Sequence, residues 1–196
     1  MEKINFIKTF IPQGDFREKY EHGGMMVRHL AAVLDEKMGA YECYECTVPI
    51  GEYDEGEIQK AFAEFSAKMD ALKLKQAKAD KIAEITAYDT SSSVNGFMLN
   101  GLLVWLDKAT RVGLMNSTTI AKATGQQTTT LWLGGLKLVV DCDKAIQLLS
   151  ALEMYALDCF NVTASHKQAV SELTTIEEVE AYDYKSGYPK MLEMSV

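Results

Sequence analysis

The 196-residue chain is poor in the residues that most acid–base and backbone-constrained sites use, with three histidines (His22, His29, His166) and three prolines. Neither His29 nor His166 has a nearby Cys or Ser in an activating pattern, and there is no Gly-x-Ser-x-Gly turn, so nucleophilic catalysis has no visible machinery. Glu153, Asp158 and Asp107 are conceivable acid–base partners, but acidic residues on helix faces are usually solvated and no spacing sets these apart. No Gly-Lys-Ser/Thr follows Gly23-Gly24, which excludes a phosphate loop there. Long apolar runs are also missing. The most hydrophobic stretch, Phe97 to Leu106, is interrupted by Asn100-Gly101 and falls far short of the roughly 20 residues that span a bilayer. The first residues lack the apolar core and cleavage site of a signal peptide, so a soluble, cytoplasmic protein is expected, with no membrane partner.

Positive charge is in deficit. Lys and Arg number 20 against 28 Asp and Glu, a net charge of -8, which argues against a nucleic-acid backbone as partner. The one basic concentration, Lys68, Lys73, Lys75, Lys78 and Lys81, is interleaved with Asp70, Asp80 and Glu84, as on a solvated helix. Cys43 and Cys46 have C-x-x-C spacing, but Cys142 and Cys159 lie too far apart to complete a zinc knuckle. The four are read as small buried side chains, and no metal or cofactor is expected.

What the chain does have is pattern. Residues 1–52 read as a small mixed unit. Strands are expected at Ile4 to Ile7 and Tyr41 to Val48, and an amphipathic helix from Met25 to Met38, stepping through Met26, His29, Leu30, Val33 and Leu34 and closed by Gly39. Residues 53–90 form a helical connector. Ile58, Phe62, Phe65, Met69 and Leu72 recur by four, three, four and three, a seam that packs against the chain's own second half or self-associates as a bundle.

Residues 91–196 read as hairpin, helix, hairpin and long helix. Phe97 to Trp105 folds about Asn100-Gly101, and Thr130 to Val139 about Gly134-Gly135. Asp107 caps a helix reaching about Ala123, with Ala109, Val112, Met115 and Ile120 facing inward; Asp141 or Asp143 caps a helix striped by Ala145, Leu149, Leu152, Ala156, Cys159, Thr163, His166, Val170 and Leu173. Thr175 to Glu178 is a capping box for a last short helix, and after Gly187-Tyr188-Pro189 the pattern runs out. Ile82 to Asp89 echoes Ile176 to Asp183. The fold class is α+β.

Phe97, Trp105, Trp132 and Tyr155 are large rings on or beside hairpins that cannot stand alone, so they bury in a core or anchor an interface. The run Ala87-Tyr88-Asp89, Asn95-Gly96-Phe97-Met98-Leu99-Asn100-Gly101 and Trp105-Leu106-Asp107-Lys108-Ala109-Thr110-Arg111, followed by a hairpin about Trp132 and a helix from Lys144 to Leu173, resembles an uncharacterised domain family of bacteriophages and prophages. Its members occur with tail-fibre and tail-assembly genes, and the resemblance covers about residues 80–183. It implies a non-enzymatic structural or assembly protein of the tail, partnered by copies of itself or other tail proteins, in the bacterial host or the virion. The eight candidate interface residues are then Ile58, Phe62, Phe65, Met69, Phe97, Trp105, Trp132 and Tyr155. The alternative is a carbohydrate-binding module or small hydrolase of a tail, for which a concave site with paired carboxylates or an exposed Trp would speak.

Overall fold

The computed structural model describes residues 4–195 and is α+β, a four-stranded sheet followed by helices and short hairpins. It divides into two compact units at Lys73 and Leu74, inside a helix, where composition places boundaries at 52 and 90.

The first unit contains β1 (Ile7–Pro12), β2 (Lys19–His22), β3 (Met25–Asp35) and β4 (Ala40–Pro49) in an antiparallel sheet of order β1-β4-β3-β2. Tyr41 to Val48 is a strand as expected, whereas the first strand begins at Ile7, where Ile4 to Ile7 is expected. The helix expected from Met25 to Met38 is instead β3. Its helical spacing comes from two features that erase alternation. A central strand is buried on both sides, so Val27, Arg28, Leu30 and His29 are buried consecutively. A bulge at Ala31 and Ala32, with Ala31 at φ 53°, then shifts the register between Leu30 and Val33. Gly23-Gly24 is the two-residue turn joining β2 to β3, both glycines at positive φ, and Gly39 closes the β3–β4 turn instead of capping a helix.

Helix α1 (Glu55–Asp89) starts at a reciprocal cap, the Asp54 carboxylate accepting from the Glu57 N–H and the Glu57 carboxylate from the Asp54 N–H. Its first turns lie on the sheet. Ile58 is buried with Leu30, Cys46 and Val48, and Phe62 and Phe65 stack with Phe6 and Tyr44. The first part of the seam is therefore covered by the chain's own N-terminal sheet, and the seam ends at the exposed Leu72. On the other sheet face His29 is enclosed by Phe16 and Tyr20, with Nδ1 facing the Arg17 carbonyl at 2.6 Å and Nε2 the Glu45 carboxylate at 3.1 Å.

The second unit holds the rest of α1, then α2 (Ser92–Asn95), β5 (Gly96–Leu99), β6 (Leu102–Trp105), α3 (Lys108–Ala123), β7 (Thr128–Leu133), β8 (Leu136–Asp141), α4 (Cys142–Glu172), α5 (Ile176–Ala181) and β9 (Leu192–Met194). Both hairpins turn where expected, on Asn100-Gly101 and Gly134-Gly135, all four at positive φ. Gly96 is required for space. A Cβ there would sit 2.2 Å from the Ser92 carbonyl oxygen, so the chain passes from α2 into β5 only with glycine. The tail does not run out: β9 pairs in parallel with β5, Phe97 opposite Leu192.

Phe97, Leu99, Val104, Leu131 and Leu133 from the hairpins meet Ala145, Leu149, Leu152, Tyr155 and Cys159 of α4 in one core. The echoing segments pack together, Ile85 and Val179 occupying equivalent places beside Val170. The inward face of α3 differs from expectation. Arg111 and Thr118 are buried and Met115 half-buried, while Ala109, Val112 and Ile120 face outward. Their phase is set by Asp107, the N-cap, and by the pull of Arg111 on α4.

Candidate functional site

The second unit carries a cleft of about 600 Å³, within the range of small-ligand sites. Four elements meet there: the end of α1 (Asp89, with Thr90), Asn95 of α2, the turn from β6 into α3 (Trp105 to Lys108 and Arg111), and one side of α4 (Glu153, Ala156, Leu157, Phe160).

Arg111 forms its floor. The buried guanidinium donates from Nε to Glu153 Oε1 at 2.9 Å and from Nη1 to the Leu106 carbonyl at 2.8 Å. This ties α3 to α4 and fixes the turn that carries Asp107. Asp107 accepts from the Thr110 N–H at 2.8 Å and from the Thr110 hydroxyl at 2.6 Å. That hydroxyl first, and then the backbone N–H, hold its carboxyl below the usual carboxylate range, so it is ionised at neutral pH. Asp89 is held from behind. Thr163, buried on α4, donates to Asp89 Oδ1 at 2.8 Å and lies 2.9 Å from the Tyr188 hydroxyl, while the Asn95 amide donates to the Asp89 carbonyl.

Apolar side chains stand at the mouth beside the exposed Asp107 and Lys108. Trp105 is 40% exposed, Leu157 47% and Phe160 59%. Leu157 and Phe160 lie off the α4 core stripe, together with the exposed Met154, at positions three apart.

The eight candidate interface residues separate by burial. Phe97 and Tyr155 are inside the core of the second unit and Ile58 inside that of the first, so these three are unavailable to a partner. Phe62, Phe65 and Met69 are half-buried. Trp105 and Trp132 stand out of the core, with Trp132 60% exposed on the outward side of β7. Core packing therefore holds for Phe97 and Tyr155 and fails for both tryptophans. Of the three acids weighed as partners, Asp107 and Glu153 line the same cleft, whereas Asp158 is not among its lining residues. Asp89, Asn95, Arg111, Leu157 and Phe160 were not legible as site residues. The available signal was the apolar set Met154, Leu157 and Phe160 outside the α4 stripe.

The remaining suspects are structural. The His166 Nε2–H donates to the Ser186 carbonyl at 2.9 Å and its Nδ1 takes the Tyr182 hydroxyl at 2.8 Å. All four cysteines are buried thiols. Among the described residues no group of three His, Cys, Asp or Glu could hold a metal ion, and no helix is long and apolar enough to cross a membrane.

This architecture defines a class: an α+β domain in which two β-hairpins close over one long helix and leave a polar-floored cleft beside it. Residues 76–186 match a domain of unknown function (DUF4376), and since that is more than half of the sequence, the chain belongs to this family. Comparison with curated proteins and with solved structures gives no match.

Proposed function

We propose that the chain is a non-enzymatic structural or assembly protein of a phage or prophage tail, working through protein–protein contacts. The observation that carries this reading is the outward side of the β7–β8 hairpin. Leu131, Leu133 and Val140 point into the core, and the alternate positions Trp132 and Val139 stand 60% and 67% exposed. Trp132 lies opposite Lys137 and diagonal to Val139, and an exposed aromatic ring with an uncovered β-branched neighbour suits an interface, where aromatic anchors supply much of the affinity. The resemblance over residues 80–183 to a domain family found with tail-fibre and tail-assembly genes supplies the setting, and it nearly coincides with the family match over 76–186.

Light scattering during size exclusion, together with the protein content of purified particles, tests the reading. Association with itself or with a tail polypeptide, weakened by Trp132→Ala, is expected. A strict monomer at high concentration that is absent from particles and binds no tail polypeptide contradicts it.

A further inference from the structure

The cleft beside α4 carries a chemistry that the hairpin face does not. We propose that it is a binding site for a neutral saccharide, a pyranose ring stacking at the mouth against Trp105 and Phe160 while its hydroxyls pair with Asp107 at the rim and with Glu153 and Arg111 on the floor. This goes beyond the tail reading and does not depend on it.

The mouth and floor offer two different faces to one ligand. Trp105 and Phe160 approach from β6 and α4, with Leu157 beside them, and give an aromatic and apolar wall open to solvent. The polar lining mixes acceptors and donors, the half-buried Asp89 and Glu153 with the buried Arg111 deeper in, and the exposed Asp107 and Lys108 at the rim. A sugar ring has the same division, a flat C–H face and a rim of hydroxyls that each donate and accept. Charge selects further. Three acids against two bases leave no excess of positive charge for a phosphate or other anion. A wholly apolar ligand would take water from the carboxylates and leave their remaining acceptor sites without a donor, which is costly.

The polar lining is also set in advance. Arg111, nine-tenths buried, spends Nε on Glu153 and Nη1 on the Leu106 carbonyl. Thr110 holds both oxygens of Asp107, and Thr163 holds Asp89. Groups fixed before the ligand arrives lose little rotamer freedom on binding.

The test uses the full chain carrying Trp132→Phe, which leaves Trp105 as the sole tryptophan reporter. Its fluorescence is titrated with methyl glucoside, methyl galactoside, N-acetylglucosamine and their β-linked di- and trisaccharides, each to tens of millimolar. A saturable change with at least one of these sugars is expected, insensitive to added salt and unmatched by inorganic phosphate. Asp107→Asn, which keeps a capping side chain, and Phe160→Ala, at an exposed position, should each weaken binding about tenfold or more without changing the circular dichroism. The proposal is overturned if no sugar in the panel alters Trp105 emission, or if the response is unchanged in both variants. A change that follows protein concentration instead of sugar overturns it too, and assigns the cleft to contact between copies.

Discussion

Tyr155 shows how a single side chain ties the second unit together. Its hydroxyl donates to the Val94 carbonyl at 2.8 Å, and the Cys159 thiol reaches the same oxygen at 3.4 Å, so the short α2 segment is held on α4 by two donors. Burial first, and then the neighbouring Cys159, push the Tyr155 phenol from 10.0 up to about 12. The sign follows directly. With the folded value above the unfolded one, the stabilisation is complete below pH 10, and it is lost as pH climbs towards about 12. Urea unfolding at pH 8 and at pH 11 should therefore show an alkaline loss of stability that is smaller in Tyr155→Phe, which itself costs about 1 kcal/mol at neutral pH. The rings test burial in the same way. Phe97 is completely buried, and Phe97→Ala should cost about 3–5 kcal/mol. Trp132→Ala, on an exposed ring, should cost about 0.5 kcal/mol or less by denaturant midpoint.

At the scale of elements, legibility depended on whether local signals and burial agreed. Asn100-Gly101 and Gly134-Gly135 each stand between short apolar runs, so the turn and its strands could be read together. Gly23-Gly24 makes the same kind of turn, but the strand after it is buried on both sides and carries a bulge, so its apolar residues mimic a helix. The caps were legible because capping is local: Asp107, Asp141 and the Thr175–Glu178 box each start a helix where expected. The phase of α3 was not legible, since it is set by a long-range ion pair that places a charged Arg111, and not Val112 or Ile120, on the inner face. The same distance effect hid the cleft. Asp107 and Glu153 lie 46 positions apart and meet only after α3 docks on α4. The bulge gives its own prediction. Ala31 sits at φ 53°, a conformation costing an L-residue about 1 kcal/mol, so Ala31→Gly should be neutral or stabilising by up to that amount in thermal unfolding. A clear loss of stability would mean that the methyl group, and not the backbone, matters there.

For the whole molecule, the proposed action by contact rests on the exposed Trp132 and Val139 of the β7–β8 hairpin. Trp132 and Val139 are the most direct handle, because they are exposed on paired strands and lie outside the core. The decisive measurement is site-specific photo-crosslinking from position 132 in host cells during tail assembly, with the captured chain identified by mass spectrometry and an exposed position such as Lys60 as control. The account predicts a covalent product between position 132 and a tail polypeptide or a second copy, absent from the control. Position 132 reacting with water alone throughout assembly would contradict it.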